Sequence, residues 1–97
     1  MTAPRHIFYI SDRTGLTAEN IGEALLNQFS NLEFKRSTFP FIDTPEKAQA
    51  VVEKVNQAAQ IEGQRPIAFV SVVNNQIHAI IQQADAFQIN FFDTFLG

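Results

Sequence analysis

The chain has 97 residues, ten of them Phe and none Cys or Trp, with a formal net charge of −3. That length fits one domain, and 45% hydrophobic with 11% aromatic residues is the composition of a folded chain. Without Cys there are no disulfides, Cys nucleophiles or thiolate metal sites. The acidic balance, with seven scattered Lys and Arg, argues against a nucleic-acid surface, and no apolar run nears the roughly 20 residues that span a bilayer. No signal-peptide core is present either, so the cytoplasm is the expected compartment.

Residues 6–10 (His-Ile-Phe-Tyr-Ile) form a short apolar run that reads as a buried strand. It stops at the polar turn Ser11, Asp12, Arg13, Thr14 and Gly15. A first helix follows, with Thr17 expected as N-cap, Glu19 in the first turn, and a face of Ala18, Ile21, Gly22, Leu25 and Phe29. The run 34–42 is mixed in polarity, and Pro40 makes it an edge strand or ends it.

Asp43 or Thr44, with Pro45 and Glu46, starts the second helix, whose face is Ala48, Val51, Val52, Val55 and Ala59 and whose stop is Gly63. Residues 67–73 are nearly continuous in apolar character, as in a strand covered on both faces. Asn74 or Asn75 caps a third helix with the face Ile77, Ile80, Ile81 and Ala84. A fourth strand is expected at residues 88–92.

Strand–helix alternation with short links predicts an α/β domain. The expected form is a three-layer αβα sandwich: a mostly parallel four-stranded sheet with three helices in βαβαβαβ order. Right-handed crossovers gather the strand C-termini on one edge. That edge would carry Ser11 and Asp12, Asp43 and Thr44, Asn74 and Asn75, and Asp93 and Thr94. Open α/β sheets bind ligands there.

The candidate phosphate- or nucleotide-binding residues are Ser11, Asp12, Arg13, Thr14, Gly15 and Thr17. Small hydroxyls and glycine before a helix N-terminus let backbone N–H groups meet an anion, with Arg13 as a charge partner. The plainer alternative is a strand-to-helix turn in which Asp12 forms an Asx-turn and Gly15 takes positive φ. Asp12 opposes a bare anion site, because a carboxylate repels phosphate unless a metal lies between them. Neither the dinucleotide fingerprint G-x-G-x-x-G nor the Walker A pattern occurs in the chain. A receiver-like reading fails because no Asp follows the third strand.

His6 and His78 read as structural or solvated, Lys35 and Arg36 as charges blunting an edge strand rather than a phosphate contact, and Phe39 and Phe41 as core. Phe91, Phe92 and Phe95 are core or a docking face, with Phe95 assigned to docking.

The segment F-Y-I-S-D-x-T-G-x-T-A-E at residues 8–19, with Leu-Leu-x-Gln-Phe at 25–29, resembles the start of a known family. The family is the phosphoenolpyruvate synthetase regulatory proteins, also known as pyruvate, phosphate dikinase regulatory proteins. Thr38 to Ile42 and Arg65-Pro66 before an apolar strand resemble it too. Arg13 departs from it, standing where the family more usually has a small residue.

The resemblance implies a longer, bifunctional serine/threonine kinase and pyrophosphorylase. Such proteins phosphorylate a Thr of their target with ADP and remove that phosphate with inorganic phosphate, yielding pyrophosphate. It also implies phosphoenolpyruvate synthetase as partner. Residues 1–97 would then be the N-terminal domain, cut from a chain whose C-terminal domain holds the phosphate loop. Expected of this piece alone are no catalytic residues, no metal and no bound cofactor. A homodimer, a small phosphate- or nucleotide-binding module, and a purely structural docking or dimerisation domain stay open.

Overall fold

A computed structural model describes residues 4–29 and 31–91. The elements run β1 (Arg5–Ser11), α1 (Leu16–Leu26), β2 (Phe34–Phe39), α2 (Pro45–Glu62), β3 (Ile67–Ser71), α3 (Asn75–Ile81) and β4 (Phe87–Asn90). The sheet order is β2-β1-β3-β4, and every pairing is parallel. This is the expected α/β architecture.

The continuous apolar runs become the central strands because both of their faces are covered. On one face Ile7, Tyr9 and Phe69 meet Ala18 and Leu26 of α1. On the other, Phe8, Ile10 and Val70 meet Val51 and Val55 of α2 and Ile77 and Ile81 of α3. Burying each of these larger side chains contributes about 1.5–3 kcal/mol before entropy is counted. Lys35 and Arg36 lie on β2, an edge strand as expected.

Thr44 Oγ1 accepts from Lys47 N at 3.2 Å, and Pro45 opens α2. Asn74 Oδ1 accepts from Ile77 N at 3.0 Å at the start of α3. Helix α1 differs from expectation. It starts at Leu16 with Gly15 as N-cap, not Thr17. The exit from β1 needs a left-handed residue, and that same residue caps the helix. The buried row is Ala18, Gly22 and Leu26, while Leu25 is 45% exposed. Adjacent leucines both fit helical spacing, and the sheet takes the row four residues beyond Gly22. Phe29 is exposed because the helix ends at Leu26, before reaching it.

Strand β3 stops at Ser71, and only Val72 of the next pair is buried. Strand β4 begins at Phe87, whose N–H donates to Pro66 O at 2.8 Å. Phe39 is half-buried against the core, and Phe91 is core. Phe41 is not core: it is 54% exposed, because its left-handed backbone turns the side chain off the sheet. The expectations for Phe92, Asp93, Thr94 and Phe95 fall outside the described residues.

One polar set pins α1 to the sheet. Glu23 Oε2 accepts from the Tyr9 hydroxyl and, at 2.7 Å, from Arg36 Nε. The Arg36 hydrogen bond is the main reason the Glu23 carboxyl sits below its ordinary 4.5, with the Tyr9 bond adding to it. Burial, then Glu23, pushes the Tyr9 hydroxyl far above its ordinary range, so it stays protonated. A carboxyl lowered by folding stabilises the fold above its unfolded value, and that contribution disappears as pH falls through the folded value. Between about pH 5 and pH 3 the wild-type melting temperature should therefore fall more steeply than that of Glu23→Gln. Parallel curves for the two proteins would show that Glu23 contributes nothing.

Candidate functional site

The chain leaves β1 toward β2 on one side and leaves β3 toward β4 on the other. Strand order reverses between β1 and β3, and it is at such a reversal, beyond the carboxyl ends of the strands, that open α/β sheets bind ligands. The turn at residues 12–15 and the loop at residues 72–74 follow those two ends.

The turn is tied to three strands. Ser11 is 2% exposed, and its Oγ accepts from Arg13 N at 3.0 Å. Asp12 N donates to Ser71 O at 3.3 Å, and Asp12 Oδ2 accepts from Val73 N at 3.0 Å. Ile42 N donates to Ser11 O at 2.9 Å, and Phe41 N donates to Arg13 O at 2.8 Å. The local turn is therefore made by the Ser11 hydroxyl, not by an Asx-turn of Asp12. The Asp12 carboxylate joins β1 to the loop after β3.

Gly15 has φ +88, as the plain-turn alternative expects, and a Cβ there would lie 3.1 Å from Thr38 Cγ2. Thr38 Oγ1 donates to Glu19 Oε2 at 2.6 Å and fixes the first turn of α1 against β2. No side chain caps α1 in the usual way. Its first internal bond runs from Glu19 N to Gly15 O at 2.9 Å. The amides of Leu16, Thr17 and Ala18 precede that bond and point out of the helix start. Among the described residues, only Leu16 N has a weak partner, Thr14 Oγ1 at 3.4 Å.

The six expected site residues thus divide. Arg13, Thr14 and Thr17 are exposed at the start of α1. Ser11, Asp12 and Gly15 shape the turn. Elsewhere on the edge, Asp43 pairs with Lys47 at 2.9 Å, which lowers its pKa, and Asn74 caps α3. Much of the polar character of that edge is helix-start chemistry. Among the described residues no group of three or more acidic or His side chains is placed to hold a metal, and no helix is long and apolar enough to cross a membrane.

Phe41 was not foreseen here. It stands on the rim with φ +59, the one described non-glycine residue with positive φ. Its phenyl ring is exposed, its N–H holds Arg13, and its carbonyl accepts from Lys47 Nζ at 3.3 Å. Asn or Gly would have signalled this conformation in the sequence; Phe does not. Such strain costs on the order of 1–3 kcal/mol. Phe41→Gly should therefore raise stability by about 1 kcal/mol after the added chain entropy of glycine. Thermal unfolding measures it; a loss of stability would mean the ring supports the fold.

A family model described as kinase/pyrophosphorylase matches residues 7–96. Three curated relatives bear the name "Putative phosphoenolpyruvate synthase regulatory protein". That of Neisseria meningitidis serogroup B (strain MC58) is 77% identical over all 97 residues, which cover 36% of its length. That of Marinobacter nauticus is 51% identical over 93 residues, 96% of this chain and 34% of the relative. That of Pseudomonas aeruginosa (strain LESB58) is 49% identical over 97 residues, all of this chain and 35% of the relative. The chain spans about a third of the length of these relatives.

Proposed function

This chain belongs to the kinase/pyrophosphorylase family, and from that premise we propose that it is the N-terminal regulatory or interaction domain of a bifunctional enzyme. That enzyme is a cytoplasmic ADP-dependent serine/threonine kinase and phosphate-dependent pyrophosphorylase acting on phosphoenolpyruvate synthetase. The turn at residues 11–17 binds the phosphate end of ADP, inorganic phosphate or pyrophosphate. Arg13, Thr14, Thr17 and the first amides of α1 touch the ligand; Ser11, Asp12 and Gly15 hold the turn open. The observation that carries this reading is an uncapped helix start at the strand-order reversal of a family member.

Alone, the domain transfers no phosphoryl group. Transfer needs a phosphate cradle and a cation holder, and residues 1–97 contain no Walker A pattern. Incubated with ADP and phosphoenolpyruvate synthetase, the chain should leave the target unlabelled. Calorimetry should still detect ADP or phosphate. Thr14→Val removes a hydrogen bond to a charged group, and Gly15→Val strains the left-handed turn and crowds Thr38; each should weaken that binding about tenfold or more. Labelling of the target would refute inactivity, and absence of heat would refute the ligand site.

A second reading, a docking or dimerisation domain, is favoured by a mostly apolar cavity of about 160 Å³ lined by Leu26, Phe29, Leu32, Phe34 and Ile67, with Arg5. Phe29 and Leu32 are more than half exposed there. It predicts no heat with any of these ligands.

A further inference from the structure

On the α2 side of the sheet, three side chains from three elements stand in a row. His6 of β1 lies between Ser37 of β2 and Glu62 at the end of α2. His6 Nδ1 is 3.2 Å from Glu62 Oε2, and His6 Nε2 is 2.9 Å from Ser37 Oγ. An ionised carboxylate can only accept, so Nδ1 carries the proton. In the neutral ring Nε2 then keeps its lone pair, and the Ser37 hydroxyl donates to it.

That is the order of hydroxyl, base and orienting acid found in activated serines. The ring is fixed, because His6 stacks on Phe8 with centroids 4.1 Å apart and planes 15° apart. The His6 and Glu62 side chains are only 14% and 13% exposed, which shields both contacts from water. Ser37 itself is half-buried on β2, an edge strand. Lys35, on the same strand face, brings Nζ to 3.7 Å from Glu62 Oε1. The nucleotide reading uses none of these groups.

We propose that Ser37 is an activated nucleophile for small carboxylic esters, with His6 as its general base and Glu62 as a positioning residue. Ser37 Oγ bonds to the ester carbonyl carbon while its proton moves to His6 Nε2. The tetrahedral adduct then breaks its bond to the leaving alcohol, which takes the proton from Nε2. Water attacks the acyl-Ser37 ester by the same route, releasing the carboxylic acid and restoring Ser37.

The test treats the 97-residue chain with p-nitrophenyl acetate and, separately, with a fluorophosphonate probe, and locates the adduct by peptide mass spectrometry. The expected result is an adduct on Ser37, formed at least about 100-fold faster than in the urea-unfolded chain. Ser37→Ala abolishes it. Glu62→Gln slows it and shifts the midpoint of its pH profile, an effect that loss of packing alone would not produce. His6→Gln slows it about 100-fold. If circular dichroism shows His6→Gln unfolded, the adduct site and the wild-type pH profile still decide. A folded chain with no adduct on Ser37, or labelling unchanged in Ser37→Ala, overturns the proposal and leaves the row as a structural tie between β1, β2 and α2.

Discussion

Replacing Phe69 with Ala should lower unfolding free energy by about 3–5 kcal/mol, the range for emptying a large aromatic site in a packed core. Phe69 is 1% exposed in the middle of β3. Its ring lies between Tyr9 and Phe91, at centroid distances of 5.5 and 5.9 Å. Truncation removes the layer on which α1 rests. Urea unfolding followed by circular dichroism measures the change, with the midpoint shifting and the slope retained. A loss under about 1 kcal/mol would mean that the α1 face of the sheet is not packed in this way.

Gly22→Ala should also destabilise, against the rule that Ala is the better helix former. In an exposed helix that exchange would gain about 1 kcal/mol. Here a Cβ would lie 2.4 Å from Tyr9 Cε1 and 3.1 Å from Phe69 Cδ2. The Tyr9 ring is 2% exposed and its hydroxyl is held by Glu23, so it cannot yield without repacking. Overpacking costs typically 1–3 kcal/mol, and a Cβ this close to a held ring falls at the upper end, which leaves a net loss of up to about 2 kcal/mol after the propensity gain. Combined with Phe69→Ala, the two losses should total less than their sum, because the emptied space lets Tyr9 move. A stabilising Gly22→Ala would contradict the close seating of α1, and with it the position of the helix start at the strand-order reversal.

The chain of strands and helices was readable because the physics at each element is local. Unbroken apolar runs at β1 and β3, Pro45 behind Thr44, and Asn74 before an Ile-rich stretch each point one way. Pro40 and Lys35-Arg36 likewise marked β2 as an edge. What could not be read depended on three-dimensional choice. Leu25 and Leu26 fit helical spacing equally well, and only the sheet decides between them. Thr17 has the right chemistry for a cap, but Gly15 occupies that position because the exit from β1 needs its left-handed backbone. Asp12 looked like a local turn residue, yet its partner, Val73 N–H, lies 61 residues away. The strained Phe41 gives no composition signal at all. The row Ser37, His6 and Glu62 spans separations of 31 and 56 residues, beyond any motif spacing.

The resemblance carried by residues 8–19 led to the right family, as the match over residues 7–96 shows. Family membership says nothing of which of these residues are accessible, whereas the geometry does. Arg13, Thr14 and Thr17 face outward; Ser11 and Asp12 face the protein's own loops. This division carries the account of the turn as a phosphate cup.

The most direct measurement is an amide chemical-shift titration of the 97-residue chain with ADP and with inorganic phosphate. Saturable shifts concentrated on the amides of residues 13–18, and lost in Gly15→Val, are the predicted result. Amides in that stretch that stay unmoved while others respond, or no saturable response anywhere, would contradict it.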